Sequence, residues 1–331
     1  MHLRRPFGTA ALVLVLIAPV APAADYRTRN FTVTAPSAEL AKTFGEYAEK
    51  YRQEKALEWL GTTMPDWSRP CPLKVEVKMG QAGGATTFTF GSGPDGRGGV
   101  LSQEMKIFGD VKQLLNSVLP HEVTHTVLAY RFGQAVPRWA DEGGSVLSEN
   151  DEERYSHDIR CREILNQGRG IQLANLFRMT EYPRDMIVVY AQGYSICQYL
   201  IDNGGRRKFL EFVETGMRRG NRNWDEAVQM YGYNSIDEMQ AAWLADLKTP
   251  PKPLAARALA ARPASAAAGS AQTASRGTVE TRTSGGSVLP RLEPPVVARG
   301  AAPDDRRTVS QAKPASPPLP SLGAPEFPTR R

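Results

Sequence analysis

Apolar residues recur at helical spacing near the start of the chain and then alternate with polar residues. Between Ser37 and Leu60 every third or fourth position is apolar, at Leu40, Phe44, Tyr47, Tyr51, Leu57 and Leu60. This spacing predicts a helix, with Ser37 as a plausible N-cap. The stretch Phe31 to Thr34 before it is strand-like, and the alternation over residues 73–79, 85–90 and 100–108 predicts three strands of a small sheet.

The second half of the chain shows a different pattern. From Asp110 to Leu247 the apolar residues follow only a helical period, with breaks at Gly133, at residues 168–170, at Gly204-Gly205 and at Gly220. No internal repeat is apparent. The predicted fold class is α+β, with a sheet and a helix in the N-terminal half and helices in the C-terminal half.

The two ends of the chain differ in composition from its body. Arg4 and Arg5 precede an uncharged apolar run over residues 7–20, and small residues then allow cleavage after Ala23. This pattern predicts a signal peptide at 1–23, because the run is shorter than the roughly 20 residues that span a bilayer. The protein is therefore expected to be exported, to the periplasm or the outside of the cell. The folded body of the protein, a single domain at 24–249, would follow the signal peptide.

The segment 250–331 is predicted to be a disordered tail. Residues 251–331 contain 13 of the 25 prolines and carry 12 Lys+Arg against 5 Asp+Glu, a net charge of +7. Such a composition cannot bury enough apolar surface to fold. A solvated tail is the simplest interpretation, and contact with an anionic cell envelope is the alternative.

Charge and cysteine content exclude several classes of protein. Residues 24–250 hold 27 basic and 30 acidic side chains, a net charge of −3, so the basic overall balance does not indicate a nucleic-acid partner. The three cysteines, Cys71, Cys161 and Cys197, allow at most one internal disulfide. No Cys-x-x-Cys occurs, which argues against a cysteine zinc site.

A metal-binding pattern lies in the helical half. The sequence His121-Glu122-Val123-Thr124-His125 puts two imidazoles one turn apart on one helix face, with Glu122 next to them. Pro120 either kinks this helix or starts a new one. A catalytic zinc usually has three protein ligands. The position six residues after His125 is not a histidine, so the third ligand should be a carboxylate, with Asp141 and Glu142 as the nearest candidates.

The combination of this motif with Trp139-x-x-Glu142-Gly143 resembles the gluzincin zinc metallopeptidases of the peptidase MA-like superfamily. The resemblance covers about residues 110–248, including Tyr190 to Ser195 and the helix that ends the body. It implies a zincin-like fold, Zn²⁺ as the metal, and Glu142 as the third ligand. Asp141 would then be a neighbour that points elsewhere, with support of a ligand as an alternative role.

The resemblance also implies a mechanism and a substrate class. Peptide bonds would be hydrolysed by a metal-activated water, with Glu122 as the general base. Tyr190, Tyr194 or His157 would stabilise the oxyanion. Either tyrosine could instead pack in an amphipathic helix, and His157 lies in a polar, surface-like run. The Gly-x-Met-Glu-Asn motif of the clan's aminopeptidases has no match at residues 83–88 or 102–105, which favours an endopeptidase acting on peptides or proteins.

Two other functions fit the sequence. In one, the domain binds zinc for stability, performs no catalysis, and is a binding module of the cell envelope. The presence of Glu122 argues against this interpretation, because a silent site does not need a base. In the other, the motif is accidental and the chain is a structural envelope protein that binds no metal.

Overall fold

The structure is a computed structural model, and it describes residues 23–92 and 98–250. Apart from Ala23 and Pro250, the predicted signal peptide at 1–23 and the predicted tail at 250–331 lie outside the described residues. Within the described part, no helix is long and apolar enough to cross a membrane.

The N-terminal half is a five-stranded mixed sheet with a long helix. The strands are β1 (Ala24–Arg27), β2 (Phe31–Ala35), β3 (Cys71–Val77), β4 (Gly83–Ser92) and β5 (Gly98–Gly109), in the order β1-β2-β3-β5-β4. The pairs β2–β3 and β3–β5 are parallel, whereas β1–β2 and β4–β5 are antiparallel. Helix α1 (Ala38–Leu60) begins at the predicted N-cap, since the Ser37 side chain accepts a hydrogen bond from the Leu40 N–H.

From Val111 to Asp246 every regular element in the described part of the chain is a helix, as predicted. Its helices are α2 (Val111–Gln113), α3 (Leu119–Phe132), α4 (Arg138–Val146), α5 (Asp151–Asn166), α6 (Leu173–Leu176), α7 (Met186–Asn221), α8 (Trp224–Gln229) and α9 (Ile236–Asp246). Helix α7 is interrupted at Gly205 and again at residues 218–220, close to the predicted breaks. The coarse prediction of an α+β protein is therefore confirmed.

A wide helical turn resolves the two alternatives for Pro120. Residues Leu114–Val118 form a π-helical turn, and Pro120 lies in the first turn of α3 directly after it. At the start of a helix a missing N–H costs little, so Pro120 does not interrupt the segment that carries the histidines. Gly133, with a φ of 62°, ends α3 as expected.

Helix α3 lies between two hydrophobic cores. Val123 packs with the sheet and α1, in a core that includes Phe31, Phe44, Leu73 and Ile107. Val127 and Leu128 pack in the larger core of the helical half, which contains Trp139, Phe177, Phe212 and Trp224. Every residue from Leu119 to Ala129 is buried as a result. The polar face of α3 therefore lies where the sheet-containing half meets the helical half.

The three cysteines are free thiols, and all of them are buried. The sequence allowed one disulfide at most, and none forms. Each thiol fills space in one of the two cores instead, with Cys71 in the core of the sheet and Cys161 and Cys197 in that of the helices.

Candidate metal centre

Two imidazoles and a carboxylate of α3 form a buried cluster that could hold a metal ion. His121, Glu122 and His125 each offer a ligand atom, and these atoms lie within 4.8 Å of one another. The two imidazole rings are 4.9 Å apart between centroids. The four-residue spacing on a helix produces this approach, as the sequence predicted.

A second carboxylate, from α4, faces the same two rings. The Oε2 atom of Glu142 lies 3.5 Å from Nε2 of His121 and 3.7 Å from Nε2 of His125. Glu142 is only 2% exposed, and Oε2 has no hydrogen-bond partner among the described residues. Its other oxygen, Oε1, accepts a hydrogen bond from the hydroxyl of Tyr182. The buried Oε2 atom of Glu142 therefore faces two imidazole nitrogens without a hydrogen bond.

Carboxylates on the far side of each imidazole fix the ring orientation. Nδ1 of His125 lies 2.7 Å from Oδ1 of Asp141, and Nδ1 of His121 lies 2.7 Å from Oε1 of Glu149. The Ser145 hydroxyl is 3.1 Å from the same nitrogen of His125. An acceptor at Nδ1 favours the tautomer with a free lone pair on Nε2, which is the arrangement seen around protein-bound metals.

Glu122 lies against the edge strand of the sheet. The Thr86 hydroxyl, on β4, donates a hydrogen bond of 2.6 Å to Oε2 of Glu122. A Cβ atom added to Gly84 would lie 2.4 Å from Oε1, so the strand approaches this closely only because residue 84 is a glycine. Burial raises the pKa of Glu122, and the nearby His125 and His121 oppose that effect.

Carboxylates and imidazoles lie next to each other in this cluster, and each kind of group shifts the pKa of the other. Burial lowers the pKa of His121, but its contacts with Glu142 and Glu149 outweigh burial and raise the pKa well above the ordinary value. Burial likewise raises the pKa of Glu142 and of Glu149, but the adjacent histidines lower both to about 2. Four carboxylates, at Glu122, Asp141, Glu142 and Glu149, thus lie around His121 and His125, and a third imidazole, that of His157, lies next to Glu149. This excess of negative charge favours a bound cation.

The structure places Tyr190 against the candidate ligand His121, whereas Tyr194 faces His157, with ring centroids 6.2 Å apart. The Tyr190 ring stacks on His121, with centroids 6.2 Å apart and an interplanar angle of 20°. Burial and then the charge of Glu142 raise the pKa of the Tyr190 hydroxyl. Tyr194 is 1% exposed and belongs to the core of the helical half, one helical turn further along α7.

His157 is not the surface residue that its polar neighbours indicated. Its side chain is only 15% exposed, and Nε2 lies 3.7 Å from Oε2 of Glu149. The His157 ring also faces Tyr190, with centroids 6.5 Å apart. Its polar neighbours Arg154 and Asp158 are also largely buried, with side chains 18% and 7% exposed, so a polar run in the sequence did not indicate a surface here.

Three residues of the cluster were missed by sequence reasoning. Glu149 lies between α4 and α5, Tyr182 lies between α6 and α7, and Thr86 comes from the sheet. None of them stands at a spacing that predicts a contact with α3. A polar threonine on an edge strand and a carboxylate soon after Glu142 were the only local signals.

Comparison with known proteins adds no family assignment. The sequence matches no protein-family model, and a search of curated proteins finds no significant match.

Proposed function

We propose that the protein is a zinc-dependent metallopeptidase with a zincin-like fold, in which His121, His125 and Glu142 hold the metal. The observation that carries the proposal is the Oε2 atom of Glu142, which is buried, has no hydrogen-bond partner in the described part of the chain, and lies 3.5 and 3.7 Å from the two Nε2 atoms. Leaving such an oxygen without a hydrogen bond costs free energy, and a positive charge between it and the two Nε2 atoms, either a proton on an imidazole or a metal ion, removes that cost.

The chemistry of these donors fits zinc. Two imidazole nitrogens and one carboxylate oxygen are a common ligand set of catalytic zinc, and they leave one position open. Asp141 and Glu149, each 2.7 Å from the Nδ1 atom of a ligand, supply the supporting carboxylates that metal-binding histidines usually have. When bound, a zinc ion supplies Lewis acidity, which makes water more acidic and polarises a carbonyl group.

The remaining residues support hydrolysis of an amide. Glu122 accepts the proton of the attacking water, and its carboxylate is oriented by the Thr86 hydroxyl 2.6 Å away. Tyr190 lies against His121, and a tyrosine hydroxyl carries its proton at neutral pH. Its hydroxyl donates a hydrogen bond to the negative charge that develops on the substrate. Tyr194, packed in the core, has no such role.

An edge strand next to Glu122 supports a polypeptide substrate. Strand β4 pairs with β5 on one side and has no strand partner on the other among the described residues. Its free backbone groups can pair with an extended peptide, and Thr86 and Gly84 place this edge directly beside Glu122. An open strand edge suits cleavage within a chain, so we propose an endopeptidase.

The site of action follows from the two ends of the sequence. The signal-peptide pattern at 1–23 supports export to the periplasm or the outside of the cell. The charge of +7 over residues 251–331 supports contact between the tail and an anionic envelope. With a net charge of −3, the body at 24–250 offers nothing to a nucleic acid.

Zinc content and proteolysis measured on matched variants test the proposal. The wild type, Glu142→Gln, Glu122→Gln and the surface control Glu54→Gln are loaded with zinc, dialysed and assayed with casein as an unstructured substrate. We expect about one zinc ion per chain in the wild type and the control, and weaker binding in Glu142→Gln. Glu122→Gln should keep its zinc and lose cleavage.

Two outcomes would contradict the proposal in different ways. Zinc bound through Glu142 without any cleavage that depends on Glu122 would indicate a zinc-stabilised binding domain. A wild-type protein that binds no metal would refute the metal centre itself.

A further inference from the structure

The ring of Tyr190 lies near two imidazoles. Its centroid is 6.2 Å from that of His121 and 6.5 Å from that of His157, with an interplanar angle of 20° to each. The His157 centroid is also 6.2 Å from that of Tyr194. His157 and the candidate ligand His121 therefore both limit where the Tyr190 side chain can lie.

His157 also reaches the same ligand through a carboxylate. Its Nε2 lies 3.7 Å from Oε2 of Glu149, while Oε1 of Glu149 lies 2.7 Å from Nδ1 of His121. The Glu149 side chain is only 13% exposed, and each of its two carboxylate oxygens faces a different imidazole. His157 therefore lies beside the oxygen of Glu149 that His121 does not contact.

Helix α5 presents His157 in a fixed position. The Asn150 side chain caps this helix by accepting from the Glu153 N–H, and its own amide donates to Ser117 Oγ at 3.0 Å. Ser117 belongs to the π-helical turn before α3. The start of α5, with His157 two turns along it, is thus tied to the segment that leads into the candidate metal centre.

We propose that His157 is a positioning residue with two separable effects, one on the metal and one on the oxyanion donor. Its nitrogen fixes Glu149 and through it the ligand His121, which raises metal affinity. Its ring lies beside that of Tyr190 and limits the positions that the hydroxyl can take in catalysis. This inference rests on the proposed function, since it needs both a bound metal and a reaction.

Two substitutions separate these effects. His157→Phe keeps a ring against Tyr190 but removes the nitrogen that faces Glu149. His157→Gln keeps a nitrogen donor at the position of Nε2 but removes the ring. Ser156→Ala is the matched control, because the exposed Ser156 is adjacent on α5 and outside the cluster. The full chain is used for every variant.

Zinc affinity and casein kinetics are measured together. Zinc affinity is determined by competition with a coloured chelator, and kcat and KM for casein are measured at saturating zinc. Loss of a supporting contact typically costs 10–100-fold in metal affinity, so we expect about a tenfold or larger loss in His157→Phe with kcat near that of the wild type. In His157→Gln we expect near-normal affinity, a lower kcat and an unchanged KM.

The other outcomes overturn the inference and can be told apart. If the wild type binds zinc and cleaves casein but both variants match Ser156→Ala, His157 does not position either group. If both variants lose affinity and kcat in parallel with a lower unfolding temperature, its role is structural only. A wild type that binds no zinc overturns the proposed function as well. If the wild type binds zinc without cleaving, unchanged affinity in His157→Phe is the contradicting result.

Discussion

Gly143 on α4 and Gly193 on α7 bring two helix backbones into contact: a Cβ atom added to Gly143 would lie 2.3 Å from the carbonyl oxygen of Gly193. Helix α4 carries Glu142, and α7 carries Tyr190, so this contact sets the distance between a candidate ligand and the candidate oxyanion donor. The two small residues permit an approach that no larger side chain allows.

The first prediction concerns this contact. Gly143→Ala should lower the free energy of unfolding by about 2 kcal/mol. Overpacking costs about 3 kcal/mol, the upper end of the usual range, because backbone atoms cannot move aside, and the better helix propensity of alanine recovers about 1 kcal/mol. Urea denaturation of the full chain measures the change. Gly99→Ala is the control, since an added Cβ there meets nothing within 4 Å. Equal stability of the two variants would contradict this packing.

The second prediction concerns the orientation of the proposed base. Thr86→Val removes the hydroxyl that donates to Glu122 at 2.6 Å, whereas Thr86→Ser keeps it. A hydrogen bond to a charged group is worth about 1.5–3 kcal/mol, so Thr86→Val should lower kcat for casein about ten- to a hundredfold with zinc content unchanged. Thr86→Ser should stay close to the wild type. Similar rates for the valine and serine variants would show that Glu122 does not need this contact.

The third prediction separates the two tyrosines of α7. Tyr190→Phe should lower kcat by about 10²-fold or more, the usual effect of losing an oxyanion donor. Tyr194→Phe should leave kcat nearly unchanged, because that ring is 1% exposed and belongs to the hydrophobic core. Steady-state casein kinetics at saturating zinc give both values. The reverse order of effects would assign the role to Tyr194.

The fourth prediction concerns the thiols. Burial raises the pKa of Cys71 and of Cys161 to about 12 and raises that of Cys197 as well. At pH 8 almost no thiolate is present, so iodoacetamide should modify none of the three in the native protein. All three should react in guanidinium without a reductant, as measured by intact mass. Only one modification under those conditions would reveal a disulfide.

The sequence predicted those parts of the fold that depend on local patterns. The helix at 38–60 with its cap, four of the five strands, and the change to helices after residue 110 all follow from spacing alone. Strand β1 was missed because Ala24–Arg27 has only four residues, two of them charged. The segment is a strand because it pairs with β2, and no local sequence pattern predicts that pairing.

The candidate site likewise contains residues that a local pattern predicts and residues that only the tertiary fold brings in. His121 and His125 could be identified because one helix turn brings them together. Thr86 and Tyr182 contact the cluster from 36 and 40 residues away along the chain, and only the packing of the sheet and of α7 against α3 and α4 produces those contacts. His157 was misinterpreted for a related reason, since a polar run in the sequence did not indicate a surface there.

Anomalous diffraction at the zinc edge, from crystals of the zinc-loaded protein, shows whether and where the metal binds. We expect a single strong peak within bonding distance of Nε2 of His121, Nε2 of His125 and the carboxylate of Glu142, with Glu122 not coordinated. No peak at the two imidazoles would contradict the metal centre. A peak coordinated by Glu122 in place of Glu142 would contradict the assignment of ligand and base.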